Sequence, residues 1–333
     1  MIQACEARVV LAPMVGLSHC ATRMAMQEFL PKAVKSLWPT EMLSSRRLPY
    51  QSEEQTPEIF FRDRDRGLVP QLLGNEESFI RDSIKKLEDW GAEAIDINMG
   101  CPVKHVLQHN YGVALMGDGA YAKSVTEMAV RSTSRPVSVK LRAGLQSNFD
   151  FLLQFAKGLE EAGASWVTLH PRTAEQKRRG SADWSQIRRL KEQLKIPVVG
   201  NGDVQCKEDI HAMFSSTKCD RVMMGRALLA KPWLVGFGVE EAEKNFPQNP
   251  SEEAQLYGRF LLRALDFAEE FYVESWTLRK MKFLIYHSSP WLDYGHTLYA
   301  NTCKAADTKQ MRWQIEEFFK WNPLMRDRTD LRR

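Results

Sequence analysis

Cys101 stands between Gly100 and Pro102 in the run Asn98-Met99-Gly100-Cys101-Pro102. A thiol's ordinary pKa of about 8.5 leaves it mostly protonated at neutral pH, so it serves as a proton donor unless its surroundings ionise it. Other residues of chemical interest recur along the chain: Pro13-Met14, Gln71, Lys140 with Arg142, His170 with Arg172, Gly200-Asn201-Gly202-Asp203, and Gly225-Arg226. A lysine inside an apolar run can form a Schiff base with a carbonyl, or compensate the anionic side of a reduced ring. Glycine-flanked loops let backbone N–H groups approach an anion, and an adjacent arginine adds a charge-assisted bond.

These residues sit at the ends of short apolar, β-branched runs. The runs are Arg8–Pro13, Leu37–Met42, Leu68–Gly74, Ala94–Gly100, Pro136–Arg142, Trp166–Pro171, Pro197–Asn201 and Arg221–Gly225. Their spacing, roughly 25–40 residues, suits a strand and a returning helix. Between them, Glu76–Trp90 places Phe79, Ile80, Ile84 and Leu87 on one helical face, with Asn75 as N-cap and Gly91 as terminator; Phe151–Glu161 repeats the design before Gly163. Continuous apolar strands alternating with amphipathic helices predict a parallel sheet buried on both faces, and eight units predict a (β/α)8 TIM barrel. A doubly wound sheet is the alternative, but no G-x-G-x-x-G follows the first strand. Barrel enzymes carry their catalytic groups at the C-terminal strand ends, where the polar residues above fall. Each alone is accounted for by packing or loop anchoring; the convergence of seven strand ends on one mouth is not. The last two loops form the usual barrel phosphate site. The residues themselves therefore lead to a barrel enzyme holding a phosphorylated ligand, with FMN and a sugar phosphate equally open.

At 333 residues the chain exceeds a barrel of about 250 residues. The pattern changes near residue 240. Asn245–Ser251 reads as a linker; beyond it Leu256, Phe260, Leu261, Leu265, Phe267 and Phe271, then Leu278, Met281, Phe283 and Leu284, follow helical faces. We expect a barrel domain over 1–243 and a small all-helical C-terminal domain over 244–333, with the charged tail Arg326–Arg333 frayed. The 44% hydrophobic content suffices for a large core, and no apolar run reaches the about 18 residues of a membrane span. Met1 to Arg8 does not resemble a signal peptide, so a cytoplasmic, monomeric protein is expected. The six cysteines form no C-x-x-C pair, which argues against a metal site or disulfide framework. A net charge of +4 permits a nucleic-acid partner without demanding one.

Asn98-Met99-Gly100-Cys101-Pro102, followed by Gly112-Val113-Ala114-Leu115-Met116, resembles the signature of the tRNA-dihydrouridine synthase family, bacterial type. So do Ala12-Pro13-Met14, Gln71-Leu72-Leu73-Gly74, Lys140-Leu141-Arg142, His170-Pro171-Arg172-Thr173 with Gly180-Ser181-Ala182-Asp183-Trp184, Asn201-Gly202-Asp203 and Gly225-Arg226, in the family's order over residues 8–235. Two positions depart from it: Pro171 stands where the family usually has Gly, and Lys282 where it often has His.

The resemblance implies FMN across the barrel mouth, held by Pro13, Met14, Gln71, Lys140, His170, Asn201, Gly202, Asp203, Gly225 and Arg226. It implies a tRNA D-loop uridine facing Asn98, Arg142 and Arg172, NADPH as reductant, and Cys101 as the acid that protonates C5 while hydride reaches C6. The helical domain would bind the tRNA; of its aromatics, Tyr286 or Trp291 could stack on bases, with core packing as the default reading. Lys104, His105, Lys177, Arg178 and Arg179, together with Arg46, Arg47, Arg62, Arg64 and Arg66, are expected beside the mouth as phosphate contacts. Competing readings are a flavin barrel acting on a free small molecule, a flavin-free lyase using Lys140, and a non-catalytic RNA-binding protein.

Overall fold

The structure, a computed structural model, describes residues 2–56, 58–59 and 66–331. Eight parallel strands form one sheet: β1 Val9–Leu11, β2 Trp38–Ser44, β3 Leu68–Leu73, β4 Ile95–Met99, β5 Val137–Arg142, β6 Trp166–His170, β7 Val198–Asn201 and β8 Arg221–Met224. Their order is β1-β8-β7-β6-β5-β4-β3-β2, and β1 lies against β2 to complete the ring. Around them run α1 Cys20–Gln27, α2 Glu77–Asp89, α3 Lys104–Leu107, α4 Gly119–Arg131, α5 Phe149–Glu161, α6 Trp184–Gln193, α7 Lys207–Thr217, α8 Arg226–Ala230 and α9 Glu240–Glu243. This is the expected (β/α)8 TIM barrel. Between β2 and β3 the described residues hold only a short 3-10 turn, Leu48–Tyr50.

Strand alternation sorts the residues into two cores. Side chains facing outward, such as Ile95, Ile97 and Met99 of β4, pack against the helices. Side chains facing inward form a second cluster low in the ring, from Val10, Leu37, Val69, Ala94, Trp166 and Val199. Above that layer the inward positions turn polar. Register sets Gln71 beside Asp96, Asp96 beside Ser138, and Asn98 beside Lys140, so that neighbouring strands offer their polar groups at one height.

Local signals explain the helix ends, with two corrections. Gly91 and Gly163 follow α2 and α5 with positive φ, as expected of terminators. Asn75 is not the N-cap of α2; Glu76 holds that position without a side-chain bond. The Asn75 amide instead reaches across to the carbonyls of His109 and Asn110, tying down the loop after Cys101. The expected linker Asn245–Ser251 also ends early, because Asn249 accepts from the Ser251 and Glu252 N–H groups and starts the next helix at Pro250.

That helix, α10 Pro250–Phe271, leads into α11 Glu274–Ser288, α12 Gly295–Cys303 and α13 Thr308–Phe319. α10 packs on α1, and α11 on α8, so the helical region leans on the barrel's mouth side. Phe283 does not share the buried face of Met281 and Leu284; it is partly exposed and points toward the mouth.

The tail is not frayed up to Leu331. Arg326 pairs with Asp293, Arg328 makes two bonds to the Asp209 carboxylate at 2.7 and 2.9 Å, and the Thr329 N–H donates to Gln205. Charge alone suggested disorder, but each of these charges has a fixed partner. Arg332 and Arg333 lie outside the described residues.

Candidate active site

A cavity of about 440 Å³ opens at the C-terminal ends of the strands, within the usual size range for a small-molecule site. Every site residue expected from the sequence lines it: Pro13, Met14, Gln71, Asn98, Cys101, Lys140, Arg142, His170, Arg172, Asn201, Gly202, Asp203, Gly225 and Arg226. Pro13, Met14, Met42, Met223 and Met224 supply an apolar lining.

Cys101 sits in a loop held from three sides. Its N–H donates to Asn98 Oδ1 at 2.9 Å, its carbonyl accepts from the Val113 N–H at 3.1 Å, and Arg142 Nε donates to the Gly100 carbonyl at 2.9 Å. Gly112 makes the close approach possible. Its φ is +60, and a Cβ there would lie 2.6 Å from the Cys101 carbonyl oxygen. Burial raises the Cys101 thiol above its ordinary range, against opposing pulls from the Val103 backbone, Arg142 and Lys140. The thiol is therefore protonated at neutral pH.

Lys140 stands on the neighbouring strand β5, beside Asn98. Its Nζ donates to Asn201 Oδ1 at 3.2 Å, and Asn201 Nδ2 donates to the Met223 carbonyl at 2.8 Å, which fixes the amide's orientation. Burial, then the Arg142 charge, pushes Lys140 down to about 8, with Asp96 and Cys101 acting the other way. It still carries a proton for most of the time at pH 7. Burial and the neighbouring cations Lys140, Arg142 and Arg172 hold His170 well below the usual imidazole range, so it is neutral.

The side formed by β6 and β7 is more constrained than the sequence suggested. Arg172 forms a two-bond ion pair with Asp203, both bonds 2.8 Å, and donates to the Gly180 carbonyl at 2.7 Å. Asp203 Oδ2 also accepts from the Ala182 N–H. Pro171 sits in a tight three-residue turn closed by the Arg172 N–H on the His170 carbonyl at 2.7 Å. Arg172 and Asp203 thus chiefly bind each other. Gly202, at φ +120, leaves room for His170 and Ala182, the latter 2.8 Å from where a Cβ would stand. Arg226 donates to the Leu331 carbonyl; burial and the charges of Arg178 and Arg172 lower its pKa. Arg172, Arg178 and Arg226 thus gather positive charge at one corner of the cavity.

Several lining residues were not singled out from the sequence as part of the cavity. Phe283 and His287 reach it from α11 and Leu331 from the tail, while Arg178, from the loop after β6, lies at the mouth as expected. Asp96 lies just beneath, buried between Gln71 and Ser138. Among the expected basic contacts, Arg46 is at the rim but paired with Glu76, while Arg66 precedes β3 and binds the Lys32 carbonyl at the opposite end of the barrel. Arg62 and Arg64 lie outside the described residues, as does the side chain of Lys104. Trp291 is buried, whereas Tyr286 is half exposed. No group of three or more His, Cys, Asp or Glu side chains is placed to hold a metal ion among the described residues, and no described helix is long and apolar enough to cross a membrane.

The histamine dehydrogenase structure from Rhizobium sp. 4-9 superposes with a TM-score of 0.56 at 13% identity, covering 75% of this chain and 49% of that one, a likeness of fold alone. Sequence relatives are much nearer. A probable tRNA-dihydrouridine synthase of Rhizobium leguminosarum bv. phaseoli is 36% identical over 71% of this chain and 73% of its own length. One of Rickettsia bellii (strain RML369-C) is 32% identical over 81% and 82%. The family profile described as Dihydrouridine synthase (Dus) matches residues 10–307. With that match spanning the barrel and most of the helical region, the chain belongs to the dihydrouridine synthase family.

Proposed function

We propose that this chain is a tRNA-dihydrouridine synthase that binds FMN across the barrel mouth, uses NADPH as reductant, and protonates uracil C5 with Cys101. The observation that carries the reading is a protonated thiol and a buried lysine lining one cavity together with an apolar wall and a cluster of arginines. The donor set fits the group: an apolar lining from Met14 and Met223 for the ring, the Gln71 amide at its edge, Lys140 as a buried cation, and the Arg226 corner for a phosphate. Bound there, the flavin supplies the hydride that reaches C6 of uracil.

The chain's own residues do the rest. Cys101 holds the proton that C5 needs as negative charge builds on the ring, and its loop is fixed before substrate arrives. Arg142, whose other nitrogen donates to the carbonyls of Thr173 and Lys177, stiffens the wall facing the uracil. Asn98 lines the same wall, and Arg172 orients the β6 loop through Asp203. His170 stays neutral beside the flavin, with Asn201, Gly202 and Gly225 supporting the phosphate side.

The uridine must leave its stack to reach this depth, at a cost of a few kcal/mol. The helical region, from about residue 244, offers the remaining RNA surface. A groove of about 900 Å³ between Val15 and α11 offers Arg279 and Lys282 beside the aromatic faces of Phe283, Tyr286 and Tyr299, with Glu41 and Glu58 also in its lining and Lys280 held by Glu41. Lys282 is anchored to the Ala305 carbonyl at 3.0 Å, a bond that keeps its charge at the groove.

The test is direct. Purified protein incubated with NADPH and unmodified tRNA, then analysed by nucleoside mass spectrometry, should yield dihydrouridine, and the released flavin should have the mass of FMN. A colourless protein, or a flavin-loaded one that leaves tRNA unchanged, would overturn the proposal.

A further inference from the structure

Beneath the cavity a chain of polar side chains runs across three strands to Cys101. Asp96 is buried, and its two carboxylate oxygens each take one bond: Ser138 Oγ donates at 2.5 Å and Gln71 Nε2 at 2.6 Å. Gln71 Oε1 accepts from Asn98 Nδ2 at 2.7 Å. Asn98 Oδ1 in turn accepts from the backbone N–H groups of Gly100 at 3.1 Å and Cys101 at 2.9 Å. Register makes the first links inevitable, since Gln71, Asp96 and Ser138 are direct neighbours across β3, β4 and β5.

The direction of each amide in this chain is decided by its neighbour. An ionised carboxylate only accepts, so Gln71 must turn its nitrogen toward Asp96 and its oxygen toward Asn98. Asn98 must then offer its nitrogen to Gln71 and its oxygen to the Cys101 loop. Read from the other end the result is the same: backbone N–H groups only donate, so Asn98 offers oxygen, Gln71 offers oxygen to Asn98, and residue 96 has to accept. A small void of about 10 Å³ lies below, bounded by Val10, Leu37, Val69 and Trp166 and touching Asp96 and Ser138. Within the protein the bonds thus run in one direction from the Cys101 loop to Asp96, and a break at Asp96 removes the acceptor on which that direction ends.

We propose that Asp96 is a positioning residue for Cys101: as the obligate acceptor at the root of this chain, it sets the orientation of Gln71 and Asn98 and through them the loop that carries the thiol. The proposal rests on the reading of Cys101 as proton donor. The same orientation leaves the second lone pair of Gln71 Oε1 available toward the cavity, as an acceptor for an imide N–H.

The test compares Asp96→Leu, which removes the acceptor, with Asp96→Asn, whose carbonyl can still accept from Gln71 while its amide faces Ser138. Two readouts are taken on the flavin-loaded protein. One is the alkylation rate of Cys101 by iodoacetamide, followed by peptide mass spectrometry, which does not depend on catalysis. The other is kcat against KM for dihydrouridine formation in tRNA. Asp96→Leu is expected to raise alkylation at least threefold and to lower kcat at least tenfold with KM within twofold, and Asp96→Asn to stay within threefold of wild type on both. Wild-type alkylation in Asp96→Leu overturns the proposal, as does an Asp96→Asn variant as impaired as Asp96→Leu. If Asp96→Leu does not fold, Gln71→Met cuts the chain one link nearer Cys101, and unchanged alkylation there overturns it equally. A wild-type protein that alkylates as expected but makes no dihydrouridine would instead count against the proposed function alone.

Discussion

The lower and upper halves of the barrel interior are built from the same strands with the same alternation, yet they are filled by opposite chemistry. Below, Val10, Leu37, Val69, Trp166 and Val199 close the ring around almost no free space. Above, two to four residues further along the strands, Gln71, Asn98, Lys140, His170 and Asn201 surround an open cavity, with Asp96 just beneath. Stability is concentrated where side chains interdigitate, and chemistry where polar groups converge and space remains. The two demands are separated along the strand axis by a few residues.

The sharpest way to break this division is to exchange the consequences. Trp166→Ala in the lower layer should cost about 3–5 kcal/mol, as expected for emptying a well-packed aromatic site. Denaturant unfolding would measure it, and dihydrouridine formation per folded, flavin-loaded molecule should stay within threefold of wild type. A cost under about 1 kcal/mol would mean that the lower layer is not the structural half.

Lys140→Met acts on the upper half and should do the reverse. Replacing a buried charge by an apolar side chain of similar length leaves thermal stability unchanged or raised, while flavin affinity measured by fluorescence should fall at least tenfold. The same residue carries a smaller, pH-dependent signature. Burial pushes Lys140 down to about 8 from an unfolded value of 10.5. Between those values the unfolded chain binds a proton that the folded chain does not, so Lys140 makes the flavin-free protein more stable as pH rises through that window. Lys140→Met should remove that rise, and a slope unaffected by the substitution would place the buried charge elsewhere.

Much of this division was legible in the sequence. The eight strands declared themselves by continuous apolar character, and all were placed within two residues of their observed ends. The polar residues within and just beyond the strands were found because they interrupt apolar runs, and every site residue named from the sequence lines the cavity. Asp96 was passed over although it interrupts the same run as Asn98, because only the pairing of three strands shows that it meets Gln71 and Ser138. Phe283 and His287 were missed for another reason: helical periodicity marks a face but not which neighbour that face meets. The tail was misjudged because a run of charges looks solvated until its partners, Asp209 and Asp293, are brought next to it by folding.

Distance from the strand axis also explains where expectation and structure part. Residues on strands hold their expected places, whereas Arg66, on a connecting segment, does not, and Arg172 lines the cavity but is tied to a partner the sequence did not reveal. Arg66 belongs to the far end of the barrel, and Arg172 is occupied by Asp203. Connecting segments are positioned by tertiary contacts that single-chain periodicity does not encode.

The central claim is that Cys101 supplies a proton rather than a structural contact. The most direct measurement follows both halves of the reaction in Cys101→Ala. The account predicts that this variant retains its flavin and is reduced by NADPH at the wild-type rate, while dihydrouridine formation in tRNA falls about 100-fold or more, in line with the loss of a general acid. Full turnover in Cys101→Ala would contradict it.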